Sequence, residues 1–387
     1  MSNKDIYYFT GKVLALGNAQ EKTPLPATRA NYRHEVATDS QSISNSIIAD
    51  IRQGKINWNK FVSVASQNLV LQTVYIKLLQ NDLAGLLPPD LAAHLKDIYR
   101  LNLGRNEKIL QQCAAINRLL RSHGITPIFM KGTGNMLDGL YSDPGERIMS
   151  DIDILTGPAL MEDAAELLIG DGYSTHEKYD PTRARAAKHY PALWREGLPA
   201  FVEIHRLPVN IQYSSHFDFE TVAHEKKQAL HNPDYMVMSD AHKITLNFYH
   251  SQMVHWGHHH ALPSLRDLYD LLLLSERGDP SRIFSFEGPH RRKAAGYLRV
   301  MHKTFGITPD PAGELPAKAS IFVLRHHIAI NNPRLGNIIY RLLRGSRLYI
   351  GIPLRGLFSR NYRLYIMVRL RDRRWYLRNL GIGKHPE

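Results

Sequence analysis

The segment from Ile125 to Leu155, ITPIFMKGTGNMLDGLYSDPGERIMSDIDIL, places the tightest constraint on what this chain can fold into. Its apolar start, Ile125 to Met130, predicts a strand; Lys131-Gly132-Thr133-Gly134 predicts a small-residue turn, and a short helical run follows. After a turn at Asp143-Pro144-Gly145 the segment ends on Ser150-Asp151-Ile152-Asp153-Ile154-Leu155. Side chains alternate faces along a strand, so Asp151 and Asp153 project together while Ile152 and Ile154 face the other way. Paired carboxylates repel unless a cation lies between them, and a hard divalent ion suits oxygen donors. A small-residue turn entering a helix presents backbone N–H groups to phosphate. Together these features predict a site for a metal-bound nucleoside triphosphate.

The rest of the composition sets bounds. A chain of 387 residues, 43% hydrophobic and 22% charged, is globular and long enough for two to three domains. The single cysteine, Cys113, excludes an intramolecular disulfide and falls in a helical pattern as a small buried residue. No apolar run approaches the ~20 residues of a membrane-spanning helix. MSNKDIYYFT lacks the basic-then-apolar layout of a secretory signal, so a cytoplasmic location is expected. The net charge of +13 is concentrated near the C-terminus: Arg334 to Lys384 holds thirteen Arg or Lys against one acid, Asp372.

Taken in order, residues 1–45 read as a loose polar arm and 46–124 as a helical region, with helices over Trp58 to Gln80 and Pro89 to Leu120. Pro88-Pro89-Asp90 marks a helix entry and His123-Gly124 a C-cap. Residues 125–210 form the mixed αβ centre: after the segment above come a helix in LMEDAAELLIGDGY and a β-rich stretch ending in the strand AFVEIHRL, Ala200 to Leu207, where Glu203 and His205 share a face. Residues 211–333 return to helix, including Leu265 to Glu276, and 334–387 form a basic amphipathic tail.

The order strand, glycine turn, helix, D-x-D strand, helix, hairpin and E-x-H strand resembles the nucleotidyltransferase superfamily with a DNA polymerase β-like palm. More closely it resembles a bacterial family of uncharacterised nucleotidyltransferases, through Met130-Lys131-Gly132, Tyr141, Gly145-Glu146-Arg147, Ser150 to Thr156 and Val202 to Leu207, over approximately Asn57 to Leu274. Gly132-Thr133 departs from the G-G or G-S pair usual in the superfamily. The resemblance implies an α+β fold, a small mixed sheet flanked by helical regions. It also implies Mg²⁺ held by Asp151, Asp153 and Glu203, and transfer of an NMP group from an NTP, ATP first, to a hydroxyl or phosphate acceptor. Gly132 and Thr133 would approach the phosphates, with Lys131, Arg147 and Ser150 as further phosphate-side groups. His205, and His189 as counterpart of the family's hairpin histidine, would be proton relays near the acceptor.

Other features carry plainer readings. His250, His255, His258, His259 and His260 match no zinc motif and are expected to form a loop or cap bordering the active site. Arg266, Asp267 and Asp270 have helical spacing for local ion pairs and are read as structural. The tail interleaves arginine with Leu, Ile, Tyr, Phe and Trp. It is expected to meet an anionic membrane surface peripherally, at the inner face, ahead of packing on the body and of nucleic acid. The acceptor class stays open among small molecule, glycan, protein and RNA. The rival function is a non-catalytic module that senses nucleotide or serves as scaffold, with the basic tail binding a membrane surface or nucleic acid.

Overall fold

The computed structural model describes residues 1–17, 41–176, 179–180, 186–278, 288–307 and 317–370. It is an α+β protein in which a five-stranded mixed sheet is surrounded by helices. The strands are β1 (Ile128–Phe129), β2 (Asp151–Leu155), β3 (Phe201–His205), β4 (Lys227–Gln228) and β5 (Met236–Val237), in the order β3-β2-β1-β5-β4. β1 runs antiparallel to β2 and parallel to β5, while β2 and β3 are parallel. Ile152, Ile154, Val202 and Ile204 are fully buried on one face of the β2–β3 pair, as strand alternation requires. The opposite face carries Asp151, Asp153, Glu203 and His205.

One helix sets where β2 and β3 begin. Pro89–Ser122 opens with proline in its first turn, where the missing N–H costs nothing, and ends at His123 before Gly124 at φ +78°. Along its buried face the Asn102 amide donates to Gly145 O at 2.8 Å and the Asn106 amide to Arg147 O at 2.7 Å. Arg105 reaches the carbonyls of both Met149 and Pro199, the residues that lead into β2 and β3. A single guanidinium therefore ties together the starts of the two strands that carry the acids.

Helix Lys131–Leu137 lies close over β1. A Cβ on Gly134 would stand 2.4 Å from the Phe129 carbonyl oxygen, so only glycine permits this approach. Within the expected strand Ile125 to Met130, the strand itself spans Ile128–Phe129, and the Met130 N–H still donates to the Asp153 carbonyl at 2.9 Å before the helix begins at Lys131. The expected helix Trp58 to Gln80 is two helices, Trp58–Gln67 and Leu71–Gln80, separated at Leu69 by a left-handed backbone (φ +57°). The β-rich stretch before β3 is an irregular hairpin, bridged at Leu193–Val202 and His189–His205.

The start of the expected loose arm is instead ordered. Asn3–Leu14 is a helix with a reciprocal cap between Ser2 and Asp5, and it buries Ile6, Phe9, Val13 and Leu14. Phe9 meets Phe61 edge-on at 5.8 Å, and the Tyr7 hydroxyl donates to the Pro263 carbonyl. A period-3.6 apolar pattern was present in IYYFTGKVL but is interrupted by polar atoms that find partners only in the folded chain. Residues 18–40 of that arm and 371–387 of the tail lie outside the described residues.

Candidate functional site

The parallel register of β2 and β3 sets Asp153 directly opposite Glu203. His205 follows on the same face, and its Nε2 lies 2.9 Å from Asp153 Oδ1 and 3.2 Å from Glu203 Oε2. A nitrogen that close to two carboxylates carries a proton and donates it between them. Among the described residues, Asp153, Glu203 and His205 are the group of metal-ligating side chains whose ligand atoms all lie within 4.8 Å of one another. Asp151 stands two residues earlier on the same face and accepts from the Ser150 hydroxyl at 2.9 Å.

Lys131 completes this cluster. Its ammonium lies 2.5 Å from Asp153 Oδ1 and 3.6 Å from Glu203 Oε2. The residue adopts φ +50°, a left-handed conformation that a residue with a Cβ rarely takes, at the first position of its helix. Burial alone would raise the Asp153 carboxyl; Lys131 and His205 outweigh it and hold the group at about 2. Glu203 is likewise pulled well below the usual carboxylate range against its own burial, by His205 and Lys131. For Lys131, the neighbouring acids outweigh desolvation and raise the ammonium. Asp151 moves the other way, pushed up by burial and by the nearby Asp153 charge. Asp151 is thus the acid of this face that no cation matches, while Asp153 and Glu203 already have Lys131 and His205 beside them. The three carboxylates suit a hard divalent cation, and the compact group adds the His205 nitrogen to the oxygens of Asp153 and Glu203.

These acids form part of the lining of a cavity of about 340 Å³. Lys131, Gly132, Arg147, Ser150, Asp151, Asp153 and Glu203 all border it, so the structure brings together most of the residues expected from sequence. Thr133 does not share that lining: its buried hydroxyl donates to the Met130 carbonyl, as the helix turns it inward. His205 lies fully buried behind the acids. His189 sits beside them, its Nε2 3.8 Å from Glu203 Oε1 and its Nδ1 2.6 Å from the Tyr190 carbonyl. Burial, with the His205 ring beside it, lowers His189 to about 4.

The rest of the lining comes from the hairpin before β3 and from chain well beyond the acids. Lys188, Lys243, His250, His255, Arg266, Asp267 and Asp270 also border the cavity. Of the histidine cluster, His250 and His255 face it, with Nε2 atoms 3.0 Å apart. His258 and His260 turn away, stacking on Phe322 and Tyr340. Asp270 is not in a local ion pair with Arg266. It accepts from Arg147 Nη2 at 2.9 Å and from the Tyr141 hydroxyl at 2.9 Å, because the helix Leu265–Ser275 packs this face against the 141–147 turn. Arg147 is thus a buried, neutralised cation at the cavity edge.

Lys188 is the residue that sequence reasoning missed most completely. Its ammonium enters the cavity from the hairpin, and no ion pair or hydrogen bond to it occurs among the described residues. Burial lowers it, and the nearby Lys131 charge adds to that effect. Nothing in AAKHYP separates this lysine from a surface one. Only its adjacency to His189 was a signal.

No curated protein and no solved structure matches the chain. Residues 54–285, which hold all five strands of the described residues, the acidic cluster and all the cavity-lining residues named above, match the family described as uncharacterised nucleotidyltransferase. The chain belongs to that nucleotidyltransferase family.

Proposed function

We propose that the protein is a Mg²⁺-dependent nucleotidyltransferase that moves an NMP group from an NTP, ATP first, to a hydroxyl or phosphate acceptor. The observation that carries this reading is the pairing of Asp153 with Glu203, with Asp151 on the same face, inside a walled cavity. Asp151, Asp153 and Glu203 would hold the metal. When bound, Mg²⁺ neutralises the triphosphate and lowers the pKa of the acceptor hydroxyl.

The chain's own residues account for the remaining work. The acceptor oxygen attacks the α-phosphorus, the Pα–O bond to the β-phosphate breaks, and pyrophosphate leaves with the electron pair. Lys188, with no counter-ion of its own, supplies a cation for the phosphates, joined by Ser150 and the backbone at Gly132. His205 donates from Nε2 to Asp153 and Glu203, which orients both carboxylates, and its remaining nitrogen, Nδ1, is buried behind the acids and outside the cavity lining. His189, outside the cavity lining but beside Glu203 and next in sequence to the cavity-lining Lys188, is the remaining candidate for the acceptor's proton. Its Nδ1–H donates to the Tyr190 carbonyl, so Nε2 bears the lone pair in a ring that burial keeps neutral.

The experiment is to incubate the protein with labelled NTPs, Mg²⁺ and cell extract, and to follow pyrophosphate release and label transfer. Release that persists unchanged in Asp151→Ala plus Asp153→Ala would exclude this site. One observation favours a second reading, a nucleotide-sensing module without transfer. Lys131 neutralises Asp153 and Glu203 with no metal required. Tight Mg·ATP binding by calorimetry, with no turnover on any acceptor fraction, would favour that reading.

A further inference from the structure

The helices after residue 332 form a layer with two unlike sides. Pro333–Ser346 continues through a widened turn, Arg347–Gly351, into Ile352–Phe358, and Arg360–Leu370 returns beside it. The inner side is tied to the body. Tyr340 stacks on His260 with ring centroids 3.5 Å apart, and the Arg347 guanidinium lies 4.9 Å over the Trp256 ring. Ile352 and Tyr362 are buried.

The outer side is apolar at helical spacing. Leu335, Ile338 and Leu342, three and four residues apart, are exposed along one stripe of the first helix. Ile350, Leu354, Leu357 and Phe358 continue it, Phe358 at 88% exposure. Of 22 exposed large apolar side chains among the described residues, 11 fall between Leu335 and Leu370, so this is a concentrated patch and not scatter. The same stretch, from Arg334 to Leu370, has eight arginines and no acidic residue. Exposed Arg334 and Arg341 each precede a stripe leucine by one position, about 100° around the helix, and so border the stripe.

We propose that this layer is a docking surface for an anionic phospholipid membrane, lying in the headgroup region with its apolar stripe toward the acyl chains. Arginine beside a continuous aliphatic stripe satisfies both parts of such an interface, phosphate contact and apolar burial. No helix among the described residues is long and apolar enough to cross a bilayer, so the layer lies on the surface. Nucleic acid fits less well. Single-strand binding uses aromatic faces, whereas nine of these eleven exposed side chains are Leu, Ile or Met, with Tyr349 and Phe358 the two aromatics, and Tyr340 and Tyr362 turn inward. A second copy packed face to face would bring arginine against arginine with no acid to pair them. This surface is independent of the nucleotidyl-transfer reading.

The test is co-sedimentation of the full chain with vesicles of phosphatidylcholine alone or mixed with phosphatidylglycerol. Binding is expected only to the anionic vesicles and is expected to weaken with salt. Arg334→Gln plus Arg341→Gln should lower partitioning by about fivefold per arginine, and Leu342→Glu plus Leu354→Glu should lower it at least as much. All four positions are exposed, and circular dichroism will confirm that the variants fold. Three results would overturn the proposal: equal binding to both vesicle types, binding unaffected by the leucine changes, or a dimer by light scattering that the leucine changes dissociate without vesicle binding. Tighter binding to single-stranded RNA than to vesicles, retained in the leucine variant, would assign the surface to nucleic acid instead.

Discussion

Arg147 and Asp270 meet across 123 residues of sequence through contacts of 3.0, 3.1 and 2.9 Å from Nε and Nη2. The pair is almost closed to solvent, and Tyr141 and the Ile148 carbonyl complete its hydrogen bonding. It joins the turn that delivers β2 to the helix that walls the cavity, so it fixes the distance between the acids and the opposite wall.

Breaking that pair from one side leaves a buried charge unpaired. Arg147→Met or Asp270→Leu alone should cost about 3–5 kcal/mol, whereas the double change should recover much of the loss. Urea denaturation of the four proteins in a double-mutant cycle measures the coupling. Additive losses would show the pair to be energetically idle.

Asp153→Asn and Glu203→Gln should each lower turnover by roughly 100-fold or more, because each removes a carboxylate that would hold the metal. Chelation of divalent ions should abolish the activity, with recovery on adding Mg²⁺. Pyrophosphate release under saturating NTP reads both effects, and full activity in excess chelator would remove the metal from the scheme.

Lys188→Met separates binding from folding. Burial of this ammonium outweighs its attraction to Glu203, Asp153 and Asp151, so in the free protein the melting temperature should stay level or rise slightly. The KM for NTP should rise roughly tenfold, the effect of one charge-assisted contact to phosphate. A large fall in stability with unchanged KM would mark Lys188 as structural.

His326 gives the pH dependence a direction. Burial lowers its pKa to about 4, against the stabilising bond between its Nδ1 and the Ala261 carbonyl, while the unfolded chain titrates near 6.5. Between those values the unfolded state binds a proton that the native state refuses, so stability falls as pH drops from about 6.5 toward 4. His326→Asn keeps a donor for Ala261 and should flatten that slope. Denaturation midpoints at several pH values within the window provide the comparison.

Gly134→Ala should be among the most damaging small changes, because its Cβ would stand 2.4 Å from a backbone oxygen of β1. Neither atom belongs to a flexible side chain, so the helix or the strand must shift. Loss of soluble protein or a steep drop in melting temperature is expected, with Gly104→Ala, which meets nothing within 4 Å, as the control.

The legible parts of this protein were the local ones. S-D-I-D-I-L alternates, and a strand must put Asp151 and Asp153 on one face whatever surrounds it. Pro89 and Gly124 bound the long helix for reasons contained in single residues. The loose reading of residues 3–14 failed because Tyr7, Thr10 and Gly11 look neutral until other helices cover them. Gly11 in particular packs against Thr304, a contact with no trace near residue 11.

What the sequence determined by itself was a D-x-D strand behind a glycine-led helix and an E-x-H strand fifty positions on, and hence a kind of chemistry. Tertiary structure alone decided that Asp153 faces Glu203, that Lys131 turns its ammonium between them, and that Lys188, His250 and Asp270 close the cavity. The reason is physical. Face and turn geometry follow from dihedral angles within a few residues. Register between strands, and the pairing of buried charges, are set by whichever long-range packing satisfies the whole core at once.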